Sequence, residues 1–220
     1  MPVTPQPSPE PTRRPRKDAE RNRQRLLDAA GELFVERGFA VSLEEIAARA
    51  GLGVGTVYRH IDDRAGLLSE LLAPMLEEVL TVTRQALDRD DPGPAFFWLL
   101  RELAERVALN QAMRDVLLAE IPPEPMVTRL RAEFAPLGTE ALRRAQAAGA
   151  VRDDLGPTDL PLLLAAVGSI EVRFGRVAPG TWERFLTLLL DGLTPSRTTT
   201  SKLAVVPLTD EQLGELSSPE

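Results

Sequence analysis

The stretch SLEEIAARAG, which starts at Ser42, carries signals for both ends of one short helix and constrains the fold more than any other part of the chain. Ser42 and Glu45 have the spacing of a capping box, in which each side chain accepts a hydrogen bond from the backbone N–H of the other residue. Val41 and Ile46 flank this start at the positions of a hydrophobic staple. Gly51 readily adopts the left-handed conformation that ends a helix. The stretch therefore predicts a short helix with a turn directly behind it.

Helical periodicity continues on both sides of this stretch. Apolar residues recur at helical spacing from Glu20 to Arg37, and Gly38 supplies a stop. Behind the turn, a short helix is predicted from about residue 53 to residue 60, and Asp62 or Asp63 then caps a long, leucine-rich helix. Two helices joined by a short turn that contains glycine form a helix-turn-helix.

The remainder of the chain is also predicted to be helical, because no segment alternates apolar and polar residues over more than a few positions. Turns with Pro or Gly separate the predicted helices, which are 94–109, 111–121, 125–147, 158–174 and 180–192. We therefore predict an all-α fold, with an N-terminal three-helix helix-turn-helix domain followed by a larger helical domain. The predicted parts are a disordered basic, Pro-rich arm (1–18), the helix-turn-helix domain (19–64), the larger domain (65–193) and a disordered tail (194–220).

Composition argues against several classes of protein. With no Cys, one His and one Tyr, the chain cannot form disulfides or thiolate metal sites, and it offers no histidine-based triad away from the turn. We therefore expect no enzyme activity, no cofactor and no metal site. No apolar run approaches the ~20 residues of a membrane helix, and the first residues lack the apolar stretch of a secretory signal. We expect a cytoplasmic protein without a membrane partner.

The net charge of −7 is unevenly distributed. Residues 1–64 carry 11 Lys and Arg against 10 Asp and Glu, whereas residues 65–220 carry 15 against 23. Seven basic residues fall between positions 11 and 25, against Asp18 and Glu20. Such a cluster is typical of an arm that contacts nucleic acid, and equally of a solvated, disordered tail.

The predicted short helix behind the turn carries the chain's only Tyr and only His. Val57 and Ile61 are four residues apart and can pack this helix on the two helices before it. That leaves four polar side chains pointing outward: Thr56, Tyr58, Arg59 and His60. Such groups suit the phosphates and base edges of a DNA major groove. The alternative is that the two rings cover a small core with their polar ends in water.

Three segments together carry a family resemblance: RLLDAAGELFVERGF, SLEEIAARAGLGVGTVYRHI and the Asp-Asp-Arg that follows. Residues 21–68 thereby resemble the TetR (AcrR-like) family of bacterial transcriptional regulators. The resemblance implies that Ser42 caps its helix near a phosphate, that Gly55 and Thr56 face the groove, and that Tyr58 and His60 hold backbone phosphates. The DNA-contacting residues predicted in this way are Ser42, Val54, Gly55, Thr56, Tyr58, Arg59, His60 and Arg64.

Three positions depart from the commonest family pattern. Arg64 stands where Lys is usual, Gly53 where Ser is frequent, and Val54 where Lys or another polar residue is frequent. Because Val54 carries no positive charge, we expect a weaker contact with phosphate at this position. Its side chain suggests apolar contact with a thymine methyl group or the sugar wall instead. The basic arm is then a candidate to compensate along the DNA backbone or in the minor groove.

A homodimer is expected, because one short recognition helix makes too few contacts for useful specificity. The segments LPLLLAAVGSIEVRF and RFLTLLLDGL combine small residues with leucine stripes, and the second resembles the final helix of TetR-type regulators. The alternative is that both stripes belong to the core of the monomer. The predicted dimer contacts are Leu164, Val167, Gly168, Phe185 and Leu189.

The helices between 94 and 147 are where the resemblance places an effector pocket. Aromatic and Met side chains there can line an apolar cavity, although aromatics at helical spacing are also typical of an ordinary core. The predicted pocket residues are Phe97, Trp98, Met113, Leu117, Met126, Leu130 and Phe134. We expect a small apolar effector to bind the state whose recognition helices are wrongly spaced for DNA, with the long leucine-rich helix transmitting the change.

The sequence thus predicts a ligand-responsive repressor that binds double-stranded DNA as a homodimer on a palindromic operator. The alternative is a helical interaction or adaptor protein that has lost specific DNA binding, which Val54 and the acidic larger domain favour.

Overall fold

The computed structural model describes residues 14–55, 64–118, 125–195, 203–209 and 212, and within them the secondary structure is helical without a strand. The helices are α1 (Arg14–Arg37), α2 (Leu43–Ala50), α3 (Arg64–Leu87), α4 (Pro92–Leu109), α5 (Gln111–Leu118), α6 (Pro125–Ala147), α7 (Asp159–Phe174) and α8 (Thr181–Leu193). The prediction of an all-α fold is confirmed. No helix in this described part is long and apolar enough to cross a membrane.

Where both limits of a predicted helix are described, they agree with the structure to within two residues except at the N-terminus. The ends of the helices predicted at 53–60 and 111–121 lie outside the described residues. Helix α1 begins at Arg14, six residues before the predicted start, so Arg14–Asp18 of the predicted disordered arm is helical. Arg, Lys, Glu and Ala are strong helix formers, and they extend the helix beyond its apolar stripe. Pro15 falls in the first turn, where a proline breaks no backbone hydrogen bond. Residues 1–13 of the arm lie outside the described residues.

The first hydrophobic core joins α1 and α2 to parts of two later helices. Its fully buried residues include Leu26, Val41 and Ile46. Leu72 and Leu76 of α3 complete it from one side, and Ala112 and Val116 of α5 do so from another. The helix-turn-helix domain therefore shares its core with helices of the larger domain.

The second core is built around α4, which contacts α3, α5, α6, α7 and α8. Asp91 accepts a hydrogen bond from Gly93 N–H at 3.3 Å and caps the start of α4, with Pro92 in its first turn. Along α4 the buried face is Phe96, Leu99, Leu100, Leu103 and Val107. Each such side chain contributes about 1.5–3 kcal/mol by burial.

Part of the predicted disordered tail contacts the larger domain. Residues 203–209 carry neither helix nor strand, bend at 204–205, and lie beside the start of α7. Leu203 N–H donates to Asp154 Oδ2 at 3.3 Å, and Thr158 Oγ1 donates to the Leu208 carbonyl at 2.7 Å. Pro207 packs so closely on Gly156 that a Cβ on that glycine would lie 2.6 Å from the proline ring. These contacts are long-range and leave no periodic pattern in the sequence, so the sequence alone does not indicate them.

Candidate nucleic-acid interface and effector cavity

Both ends of α2 are fixed as predicted. Ser42 N–H donates to Glu45 Oε2 at 2.9 Å, and Glu45 N–H donates to Ser42 Oγ at 3.2 Å, which confirms the capping box. Gly51 has φ +65°, and Leu52 N–H reaches the Ala47 carbonyl at 2.9 Å. The turn that leads to the predicted recognition helix is therefore held in one conformation.

Helix α1 supports this turn with basic side chains. Arg25 Nη2 donates to the Ala50 carbonyl at the C-terminus of α2, where a cation is favoured by the helix dipole. Arg23 forms an ion pair with Glu70 of α3. These two members of the basic cluster at 11–25 are thus engaged within the chain, which reduces the part of that cluster that is free to contact DNA.

The described part of the predicted recognition helix is its first turn. Val54 and Gly55 have helical backbone and are exposed, Val54 by 40%. Nothing lies within 4 Å of a Cβ placed on Gly55, so this end of the helix is open to a large partner. Thr56, Tyr58, Arg59 and His60 lie outside the described residues. Arg64 is the first residue of α3, and its side chain lies outside the described part as well.

The capping box makes the stability of this domain depend on pH. Hydrogen bonds from the Ser42 backbone, followed by the Arg37 guanidinium and the Ser42 hydroxyl, lower the pKa of Glu45 from 4.5 to about 2. A carboxyl whose pKa is lowered by folding stabilises the folded state at a pH above its pKa in the unfolded chain. This stabilisation is lost as the pH falls through the pKa of the folded state. Glu45→Gln should therefore reduce stability above pH 4.5, and the difference from wild type should vanish between pH 4.5 and about 2.

Urea unfolding at several pH values measures this difference. Glu44→Gln is the matched control, because Glu44 carries the same charge in the same helical turn but does not occupy the capping-box position. An equal pH dependence for both variants would contradict a specific role of Glu45.

A cavity of about 910 Å³ lies in the larger domain, between α4, α5, α6, α7 and the tail segment 203–209. Apolar side chains form most of its wall, with Arg106, Arg131 and three threonines as polar exceptions. Its size is that of a site for a drug-sized molecule. The tail segment contributes Pro207, Leu208 and Thr209 to the wall.

The predicted pocket residues divide into three groups. Met113, Leu117 and Phe134 line the cavity. Phe97 and Trp98 do not: the Phe97 ring packs at 6.1 Å from that of Phe96, and the Trp98 ring lies 3.8 Å from the Arg89 guanidinium carbon. The side chains of the other two predicted residues, Met126 and Leu130 in α6, lie outside the described part.

Three α4 side chains in the cavity wall, Leu99, Leu103 and Arg106, were missed from the sequence. They share one face of α4 with Phe96 and line the cavity. Their spacing of three to four residues is the signal that identifies them, because adjacent aromatics on a helix point about 100° apart and cannot share one face.

Three predicted dimer contacts do not lie on the surface of the single chain. Leu164, Val167 and Gly168 are buried within it, Val167 with 0% exposure. A Cβ on Gly168 would lie 2.8 Å from the Arg114 side chain, which explains the small residue by packing inside the chain. Of the other two, Phe185 is 43% exposed and Leu189 is half-buried against the core.

Helix α5 lies between the cavity and the helix-turn-helix domain. Its Met113 and Leu117 line the cavity, while its buried Asp115 faces the first domain. Asp115 Oδ2 accepts a hydrogen bond from Phe39 N–H at 2.9 Å, and its Oδ1 accepts one from Gln111 Nε2 at 2.7 Å. A displacement of α5 by a molecule in the cavity would thus act directly on the end of α1.

The hydroxyl of Thr158 is expected to hold the tail segment in place. Thr158→Val keeps the shape but removes the bond to the Leu208 carbonyl, worth about 1 kcal/mol. Proteolytic cleavage within 203–209 should then accelerate roughly five-fold, as measured by mass spectrometry under limiting protease. Thr187→Val removes a comparable bond inside α8 and should leave the cleavage rate unchanged. Equal rates in wild type and Thr158→Val would contradict this anchoring.

Two family models match the two domains. A model of bacterial regulatory proteins of the tetR family matches residues 26–71, and a model of the C-terminal domain of SbtR-like transcriptional regulators matches residues 91–195. An HTH-type transcriptional regulator of Staphylococcus aureus is 39% identical over 74 residues, which span 33% of this chain and 40% of that regulator.

Solved structures of similar regulators cover more of the chain. A TetR transcription regulatory protein from Mycobacterium vanbaalenii is 30% identical, and the match spans 82% of this chain and 99% of that protein with a TM-score of 0.47. A TetR transcriptional regulator from Streptomyces coelicolor is 28% identical over 79% of this chain and 99% of that protein, with a TM-score of 0.50. Together the two family models match more than half of the chain, in the order of its two domains, and the chain belongs to the TetR family of transcriptional regulators.

Proposed function

We propose that the protein is a ligand-responsive transcriptional repressor that binds a near-palindromic operator as a homodimer in the cytoplasm. The observation that carries this proposal is the position of α5, whose two faces meet the cavity and the helix-turn-helix domain. DNA contacts come from Ser42 and from the recognition helix that starts at Val54, with Tyr58 and His60 on backbone phosphates.

The ligand response follows from the bonds at the end of α1. A ligand that displaces α5 shifts Asp115, which holds Phe39 N–H. The long helix α3 shares the same core through Leu72 and Leu76, so it moves with this contact. Transmission therefore runs through α5 as well as through the long helix predicted from the sequence, and its size is limited by the ligand's preference between the two states.

The homodimer is supported by an exposed apolar surface on the last two helices, which contact each other. Large apolar side chains are exposed there at Val172, Phe174, Phe185 and Leu188. On α8, the exposed residues 185, 188 and 192 share one face, while Trp182, Leu186 and Leu190 face the core. Two such helix pairs can form a four-helix interface between two chains.

Selection of fragments of the organism's own genome with the purified chain tests the proposal. The expected result is a near-palindromic motif whose half-sites lie about one or more helical turns apart. If the chain enriches no motif and binds no DNA even at low salt, the adaptor alternative is favoured. That outcome would overturn the proposal.

A further inference from the structure

One part of the cavity wall comes from the tail segment 203–209. Pro207, Leu208 and Thr209 line the cavity, and apart from them and residues 156–158 every described wall residue lies in a helix. The tail segment itself carries neither helix nor strand. It is therefore held in the wall by its contacts with the rest of the chain and not by helical hydrogen bonds of its own.

The hydrogen bonds that the structure describes between the tail segment and the larger domain fall on the short loop before α7. They involve Asp154 and Thr158, and Pro207 packs on Gly156 in the same loop. No residue of the tail segment belongs to either of the two hydrophobic cores of the described structure. The segment can therefore detach without opening a core, as is typical of elements with low local stability.

The apolar side chains of the tail segment lie in two different environments. Val205 and Val206 are 79% and 84% exposed. Pro207 and Leu208 follow the bend at 204–205, are half-buried and line the cavity. Because Leu208 borders the cavity, an apolar molecule there would bury more of its surface, and burial of apolar surface is favourable.

We infer that the tail segment is part of the effector site and closes over the ligand, so that ligand binding and docking of the segment stabilise each other. A molecule in the cavity contacts Pro207, Leu208 and Thr209 only while the segment is docked, and it therefore favours the docked state. Since such a coupling is reciprocal, the docked segment raises the affinity for the ligand by the same factor. The inference rests on the proposed function and assigns Leu208 to the binding site of its effector.

Leu208 gives the most specific test, because Val206 offers a matched control two residues away. The probe is N-phenyl-1-naphthylamine, a neutral apolar molecule whose fluorescence rises in apolar surroundings, and it is titrated into the full chain. Leu208→Ala should weaken probe binding about five-fold, because it removes apolar contact area from the cavity wall. Val206→Ala shortens a side chain that does not line the cavity and should leave the affinity within about two-fold.

A chain that ends at residue 202 tests the whole segment. It lacks the three tail residues of the cavity wall and should bind the probe at least about ten-fold more weakly than the full chain. Thermal unfolding shows whether this shortened chain folds, and Leu208→Ala in the full chain decides the question if it does not.

The reverse effect of the ligand on the tail segment is measured on the wild-type chain by limited proteolysis. Elastase cleaves after small apolar residues, which Ala204 and Val205 supply. At saturating probe, cleavage within 203–209 should slow by the same factor by which truncation weakens probe binding, because cleavage requires the detached segment. In Leu208→Ala this protection should be about five-fold smaller.

Equal probe affinity in wild type, Leu208→Ala and the shortened chain, or cleavage that the probe does not slow, would overturn the inference. An equal loss of affinity in Val206→Ala would also overturn it, because that loss would not depend on the cavity wall. These outcomes leave the regulator proposal standing, since the genomic selection judges DNA binding without a ligand. If the chain binds no probe, the inference fails together with the effector role of the cavity.

Discussion

Gly38→Ala is expected to destabilise the protein by about 3 kcal/mol. Gly38 ends α1 with φ +65°, a conformation that costs alanine about 1 kcal/mol. An added Cβ would overlap with the Asp115 carboxylate and lie 2.8 Å from Gln111 Cγ. Asp115 must then move away and weaken its buried bond to Phe39 N–H, which supplies the larger part of the loss.

Gly149→Ala is the matched control for this prediction. Gly149 has φ +70°, but nothing lies within 4 Å of a Cβ placed there. Gly149→Ala should lower the free energy of unfolding by only about 1 kcal/mol. The difference between the two variants isolates the contact with Asp115. Thermal unfolding should show a decrease in Tm of roughly 9 °C for Gly38→Ala and about 3 °C for Gly149→Ala. Equal decreases would mean that α5 does not press on Gly38.

Leu188→Glu is expected to convert the proposed dimer into a monomer and to weaken operator binding on the order of 100-fold, because a monomer engages one half-site without the second. Leu188 is 57% exposed on the apolar face of α8, so its replacement costs the monomer fold little. A charge there would be buried against an apolar partner surface without a counter-ion. Sedimentation velocity measures the mass, and fluorescence anisotropy measures the operator affinity.

The control variant is Leu109→Glu, since Leu109 is also 57% exposed but lies at the end of α4. It should leave both the mass and the affinity unchanged. A dimer that survives Leu188→Glu, or is lost equally in Leu109→Glu, would place the interface elsewhere.

Local signals in the sequence predicted the helices well. The capping box at Ser42, the stop at Gly51 and the limits of α6 follow from short-range rules about caps and helix formers, and the structure has all three. These rules act within a few residues, so no tertiary knowledge is needed to apply them.

The faces of apolar helices could not be predicted in the same way. Helix α7 carries apolar or small residues on nearly every side, so its periodicity does not tell Leu164, which faces the core, from Val172, which is exposed. On α4, the predicted pocket residues Phe97 and Trp98 do not line the cavity, whereas the fully buried Phe96 does. In both helices the choice depends on partners distant in the sequence.

The double role of α5 also had no signal in the sequence. This helix has eight residues, and it contacts Phe39, which is far from it in the sequence, as well as the cavity. Such long-range contacts leave no local sequence pattern. The same holds for the tail, whose bond from Thr158 to Leu208 joins residues 50 positions apart.

The central claim is that the segment from Val54 to His60 recognises a specific DNA sequence. The most direct test compares the affinity of the full chain for the selected operator and for a scrambled duplex of equal composition, at physiological salt. Wild type should prefer the operator by about 10³-fold or more, and Tyr58→Phe combined with His60→Ala should remove most of the operator affinity. Equal affinity of the wild type for both duplexes would contradict the account.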